Sequence, residues 1–215
     1  MIKALTLLVA LAGLAPLAQA QDASAGQKKA AMCMGCHAIV GYQTSFPQVY
    51  KVPKIAGQNA KYLAAALAEY KSGNRKFPTM RAVAASLSDK DMADLAAFFS
   101  TLGESSVKAV SETTPAEPPA DVAALIARGA CTSCHGPGFN KPIDAGYPKL
   151  AGQYADYLSA ALVAYQTQGN PQVGRGNAIM GAQVKQFTHA ELRAIADYVS
   201  SLHGDIATVP ESRFR

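Results

Sequence analysis

The sequence predicts an all-α protein of two small helical domains in tandem, joined by a Pro-rich linker. Three observations predict it. The 215-residue chain repeats itself: Pro53-Lys54-Ile55-Ala56-Gly57-Gln58 returns as Pro148-Lys149-Leu150-Ala151-Gly152-Gln153, Tyr62-Leu63 as Tyr157-Leu158, and Met80 as Met180. Self-similarity in constant order marks a duplicated unit. Within each copy, apolar residues recur at helical period, and no segment sustains the alternation of a strand. Between the copies, Ser105 to Ala120 is built from Ser, Thr, Glu and the prolines Pro115, Pro118 and Pro119, a composition that forms no core of its own.

Residues 1–20 read as a secretory signal peptide. Met1-Ile2-Lys3 precedes an apolar run from Ala4 to Leu17, and Ala18-Gln19-Ala20 is a small-x-small cleavage signal. The run is short for a membrane span, and no later stretch could cross a bilayer, so the expectation is cleavage after Ala20 and no integral membrane segment afterwards. The chain then divides into a first domain at 21–104, a linker at 105–120 and a second domain at 121–215. The formal charge is +5 overall, and the excess lies mainly in the first domain. That could offer an acidic partner a positive face, or be an ordinary solvated surface. Basic runs are absent and the chain is exported, which excludes nucleic acid.

The first helix should run from about Ser24 toward residue 37, capped by Asp22 or Ser24. Its counterpart starts near Asp121. A middle helix follows Gly57-Gln58, where Tyr62, Leu63, Ala66, Leu67 and Tyr70 form one apolar stripe and Gly73 supplies a left-handed stop. The twin stripe is Tyr157, Leu158, Ala161, Leu162 and Tyr165, with Gly169 as its stop. The last helix opens at Ser88-Asp89-Lys90-Asp91 and carries Met92, Leu95, Ala96 and Phe99 on one face. Its twin opens at Thr188-His189-Ala190-Glu191, an S/T-x-x-E capping box, followed by Leu192, Ile195, Ala196 and Val199.

All four cysteines fall in two copies of C-x-x-C-H: Cys33-Met34-Gly35-Cys36-His37 and Cys131-Thr132-Ser133-Cys134-His135. This spacing reads as covalent c-type haem attachment. Residues i, i+3 and i+4 share one face of a helical turn, so two thiols can bond the vinyl groups of one porphyrin while the adjacent imidazole reaches its iron. Zinc sites and redox dithiols also use C-x-x-C, but neither requires a histidine directly after the second cysteine, twice. The expectation is two covalently bound haem c groups, on Cys33 and Cys36 and on Cys131 and Cys134, with His37 and His135 as iron ligands. A domain this small has a thin core, so each porphyrin should be part of the core and the apo chain poorly folded.

The opposite side of each iron decides the chemistry. Met180 is the only methionine of the second copy and sits in a Gly-rich loop, Gly174-Arg175-Gly176-Asn177-Ala178-Ile179-Met180-Gly181; Met80 holds the same place before the cap of the last helix. Both are read as axial ligands carried on loops. Met92 lies on an apolar helix stripe and reads as core, Met32 and Met34 are tied to the attachment motif, and His189 and His203 read as surface residues. Tyr62, Tyr157, Arg75 and Arg175 are candidate partners for haem propionates.

Together the tandem motifs, the two P-K-x-A-G-Q segments, the paired methionines and the Leu87–Ala96 helix start resemble the dihaem cytochrome c4 family, over nearly the whole mature chain. The resemblance implies two class I cytochrome c domains facing each other, each iron held by His and Met. It implies a periplasmic electron carrier between a quinol-oxidising complex and a terminal oxidase, compatible with peripheral association at the membrane. It also implies that the Pro53 and Pro148 carbonyls accept the imidazole N–H. One departure stands out: Ala38 follows the first motif where Gly136 follows the second, and a loop from Gly41 to Tyr50 precedes Pro53. That loop reads as a cover for the porphyrin or as a docking surface. Two competing functions are a dihaem redox enzyme (a peroxidase or a sulfur-compound dehydrogenase), which needs an exchangeable iron position, and a fixed subunit of a larger complex.

Overall fold

In the computed structural model, which describes residues 21–103 and 117–211, the two repeats each fold as a helical domain around a central cavity. The expected signal peptide at 1–20 and most of the expected linker at 105–120 lie outside the described residues. The first domain contains α1 (Ala23–Lys29), α2 (Ala31–His37), a two-stranded hairpin of β1 (Gln43–Thr44) and β2 (Tyr50–Lys51), α3 (Ala60–Ser72), α4 (Pro78–Ala85) and α5 (Asp89–Thr101). The second contains α6 (Ala120–Arg128), α7 (Thr132–His135), α8 (Ala155–Gln166), α9 (Ala178–Val184) and α10 (His189–Ser201).

The last helix is the organiser of each domain. In the first, α1 and α3 pack on α5; Leu63, Leu95, Ala96 and Phe99 form the buried seam together with Met34. Gly26 of α1 sits so close to α5 that a Cβ there would lie 2.0 Å from the Asp94 carbonyl oxygen. In the second, α6 and α8 pack on α10, with Ile126, Leu158, Phe187, Leu192 and Val199 at the centre. Both last helices start from a reciprocal capping box. The Ser88 hydroxyl accepts the Asp91 N–H at 3.1 Å while the Asp91 carboxylate accepts the Ser88 N–H at 2.9 Å. The Thr188 hydroxyl accepts the Glu191 N–H at 3.2 Å, and the Glu191 carboxylate accepts the Thr188 N–H at 2.7 Å.

Four local expectations change. The first helix is broken at Ala30, whose N–H bonds the Gln27 carbonyl at 3.3 Å in a tighter turn; in the second domain Gly129, Ala130 and Cys131 separate α6 from α7, Ala130 taking a left-handed φ of 45°. Met80 and Met180 are not loop residues. Each sits in the first turn of a helix, α4 beginning with Pro78 at N1 and α9 being capped by the Asn177 side chain, which accepts the Met180 N–H at 2.9 Å. Pro at N1 and Asn at the cap are both start signals, outweighed in the sequence by the surrounding glycines. Gly73 ends α3 in the left-handed region as expected, at φ 85°, but α8 ends at Gln166, with Thr167 extended, before Gly169 is reached. Finally, the Gly41–Tyr50 loop contains the hairpin, pairing Gln43 with Lys51 and Thr44 with Tyr50.

The first domain has one ionic device that the second lacks. The Asp94 side chain is fully enclosed on α5. It takes Lys29 Nζ at 2.9 Å, Lys90 Nζ at 2.9 Å and the Asp22 N–H at 3.1 Å, which ties the start of α1 to the last helix. The equivalent position on α10 is Ala194. Hydrogen bonds from Lys29, then Lys90, hold the Asp94 carboxyl down to about 2. A carboxyl depressed below its unfolded value of about 3.9 stabilises the fold fully above that pH, and the contribution is lost as pH falls through the folded value. Asp94→Asn should therefore lower the thermal midpoint of the first domain at pH 7 and flatten its pH dependence between about 4 and 2, measured by calorimetry of the holoprotein.

Candidate functional site

Each domain places its C-x-x-C-H motif at the wall of a cavity. In the first, of about 350 Å³, Cys33, Cys36 and His37 share the lining with Pro53 and Met80. In the second, of about 270 Å³, Cys131, Cys134 and His135 share it with Pro148 and Met180. The structure thus brings together, twice, every residue the sequence assigned to a haem site. Met92 is buried in the core at 5% exposure, away from either lining, and His189 and His203 are exposed.

The short helices set the motif geometry. Cys33, Cys36 and His37 lie on α2; Cys131 is the N-cap of α7, already helical at φ −58° and ψ −41°, so Cys134 and His135 fall on its face. The imidazoles are oriented by backbone carbonyls, with His37 Nδ1 donating to Pro53 O at 2.8 Å and His135 Nδ1 donating to Pro148 O at 3.1 Å. A carbonyl can only accept, so Nδ1 carries the proton and Nε2 keeps its lone pair for a metal. Burial pushes both imidazoles below their usual pKa, against an opposing pull from the carbonyls. Burial thus favours the neutral imidazole, the form that can bind a metal.

The thiols fit a porphyrin better than zinc or dithiol chemistry. Burial pushes Cys33 up to about 11 and Cys131 up as well, the reverse of a redox-active C-x-x-C, whose thiol is depressed. No disulfide joins any of the four cysteines. Among the described residues no three His, Cys, Asp or Glu side chains converge as a metal-holding group. What each motif faces instead is an apolar slot, walled by Leu95 and Phe99 in one domain and by Val184 and Leu192 in the other.

The polar end of both slots is shared. Tyr62, Arg75 and Tyr157 line both cavities. Arg75 donates to the Tyr62 hydroxyl at 3.1 Å and Arg175 to the Tyr157 hydroxyl at 3.1 Å. Each guanidinium lies over two tyrosine rings, Arg75 over Tyr62 and Tyr70, Arg175 over Tyr157 and Tyr165. Arg75 is only 8% exposed, and among the described residues neither arginine is paired with a carboxylate. A buried cation needs an anion, and haem propionates are anions of the right kind for this position.

The shared wall exists because the two domains dock face to face. Arg75 and Arg175 meet in an antiparallel bridge, flanked by Lys76 N–H to Gly174 O at 3.0 Å and Gly176 N–H to Asn74 O at 2.7 Å. Lys51 pairs with Asp156 at 3.2 Å and Lys61 with Asp144 at 2.9 Å. Gln58 and Gln153, whose side chains cross between the domains, were visible in the sequence only as repeat letters. The Gly41–Tyr50 loop walls the first cavity, with the Tyr50 ring 5.9 Å from both Phe77 and Tyr157. Tyr42, Phe46 and Val49 of that loop are exposed.

The family model for cytochrome c matches residues 23–103 and 119–203. Cytochrome c4 of Pseudomonas aeruginosa is 34% identical over 204 residues, covering 94% of this chain and 99% of the relative. A thiosulfate dehydrogenase electron acceptor of Stutzerimonas stutzeri is 34% identical, covering 89% and 94%. Among solved structures, reduced cytochrome c4 from Pseudomonas stutzeri is similar, with a TM-score of 0.59 and 29% identity over 86% of this chain and 100% of that one.

Asn177 presents Met180 by capping α9, so Asn177→Ala should cost about 1 kcal/mol, read from denaturant unfolding of the holoprotein.

Proposed function

Because the chain belongs to the cytochrome c4 family, a dihaem electron-transfer cytochrome with two covalently bound haem c groups, we propose that it works in the periplasm as a mobile carrier between respiratory-chain partners, passing electrons toward a terminal oxidase. The export signature of residues 1–20 supports the location, and among the described residues no helix is long and apolar enough to cross a membrane. Cys33 and Cys36 hold one haem by thioethers, Cys131 and Cys134 the other. His37 and Met80 would hold the first iron, and His135 and Met180 the second. The observation that carries this reading is the gathering of two thiols, one oriented imidazole and one thioether around a single slot, in both domains.

One-electron exchange at iron is the chemistry the bound group supplies. The protein's part is to leave that chemistry nothing else to do. The Pro53 and Pro148 carbonyls fix each ring and raise its basicity. Met80 and Met180, as thioether ligands, would leave no exchangeable position and would favour a higher potential. Leu95, Phe99, Val184 and Leu192 keep water away, which limits the rearrangement that accompanies each electron. Arg75 and Arg175 neutralise the propionates at the seam.

A second reading concerns the donor. Relatives from Stutzerimonas stutzeri and Thiomonas intermedia, 34% and 30% identical, bear the name thiosulfate dehydrogenase electron acceptor. A sulfur-oxidising dehydrogenase is therefore an alternative source of electrons for this carrier.

The test is optical. Met80→Ala and Met180→Ala should each abolish half of the near-infrared sulfur-to-iron band and let carbon monoxide bind the reduced iron of that domain, while Met92→Leu leaves both unchanged. Strong carbon monoxide binding by the unmodified protein would instead favour a redox enzyme. Stopped-flow mixing with a thiosulfate-oxidising dehydrogenase and with a quinol-oxidising complex ranks the two donors.

A further inference from the structure

Each hexapeptide of the repeat grips its own domain's histidine with one end of a peptide group and the other domain with the opposite end. The carbonyl of the Pro53–Lys54 peptide accepts from His37 Nδ1 at 2.8 Å, and the N–H of that same peptide donates to Gln153 Oε1 at 3.0 Å. Gln153 Nε2 then donates to the Lys54 carbonyl at 2.9 Å. The mirror arrangement is complete. The carbonyl of the Pro148–Lys149 peptide accepts from His135 Nδ1 at 3.1 Å, its N–H donates to Gln58 Oε1 at 2.9 Å, and Gln58 Nε2 donates to the Lys149 carbonyl at 2.8 Å. Both glutamines are 4% exposed.

The amide orientations are forced. Gln58 Oε1 also accepts the Asn59 N–H at 2.9 Å, and Gln153 Oε1 the Tyr154 N–H at 3.0 Å. A flipped amide would set NH₂ against two N–H donors and an oxygen against a carbonyl.

We propose that Gln58 and Gln153 are positioning residues that set, from across the seam, the hydrogen bond on the imidazole holding the other domain's iron. The proposal rests on His37 and His135 being iron ligands. A peptide that accepts at its oxygen and donates at its nitrogen is polarised in one direction by both bonds. Each bond strengthens the other by roughly 10–30%. Gln153 therefore makes the Pro53 carbonyl a stronger acceptor, which draws charge into the His37 ring and raises its basicity as a ligand. A more basic imidazole favours the ferric state. The connection is crossed: Gln153, in the second domain, acts on the first iron, and Gln58 on the second. A glutamine serving only to seal the seam would show no such crossing.

The experiment measures both reduction potentials of the holoprotein, with each signal assigned to its domain by NMR, together with the Nδ1–H resonances in the diamagnetic reduced state. Gln153→Leu removes the acceptor. It should raise the potential of the haem on His37, shifting its ferric-to-ferrous ratio several-fold at a fixed poise, and move the His37 Nδ1–H resonance upfield, with the smaller change at His135. Gln58→Leu should do the converse. Gln153→Glu gives up the donor to the Lys54 carbonyl but keeps an acceptor on the Lys54 N–H and, when ionised, makes it stronger, so it should move the His37 haem in the opposite sense to Gln153→Leu. It also carries the test should the leucine variant fail to assemble. Equal shifts at both haems, the same sign for Leu and Glu, a larger effect within the glutamine's own domain, or no shift would each overturn the proposal. Failure of the ligation reading would show separately, as a wild-type spectrum without His/Met features.

Discussion

Neither domain can close its core without something flat and apolar in the middle of it. The last helix, α5 or α10, supplies one wall and the C-x-x-C-H turn another. The space between them is lined by Leu95 and Phe99, or by Val184 and Leu192, which belong to the packed core and also form the wall of the slot. For domains of this size the protein's own apolar surface is scarce, and filling the slot with haem completes the burial that the helices leave open. The attachment cysteines, the oriented imidazole and the helix-borne methionine are all arranged around that single requirement.

The second organising feature is that the slots do not open independently. Their polar ends converge where Arg75 and Arg175 cross, and Tyr62 and Tyr157 belong to both. Arg75 is buried and Arg175 half-buried, and two guanidinium groups this close repel each other, so the seam is set up to receive negative charge. The backbone bridge at Arg75 and Arg175 joins the two domains at the same place where propionates would be received. An arrangement of this kind keeps two redox centres near each other without any covalent link between the domains at the seam.

The seam has approximate two-fold symmetry in its backbone and lacks it in its charges. The first domain contributes Lys51 and Lys61, the second Asp144 and Asp156. Lys61 and Asp156 occupy the same place in the repeat, three residues after Gln58 and Gln153. Two first domains paired in this way would set Lys61 against Lys51. The exposed ion pairs do little for stability, but they select the pairing of unlike domains over like ones.

Much of the site was legible because its signals are local. C-x-x-C-H, the Ser88 and Thr188 caps and the periodic stripes depend on residues within about one helical turn of each other, and such contacts follow from order along the chain. Around Met180 two local signals disagree: the glycines before it argue for a loop while Asn177 argues for a helix start, and the structure forms the helix, with the Asn177 side chain accepting the Met180 N–H. What the sequence by itself determined was the contents of each domain and its cofactor, and it singled out the candidate ligands that line each slot. What only the tertiary structure decided was how the domains meet. Gln58 reaches Lys149 and Gln153 reaches Lys54, 91 and 99 residues apart. No periodicity or spacing encodes a hydrogen bond formed only after both domains have folded and their faces have been brought together.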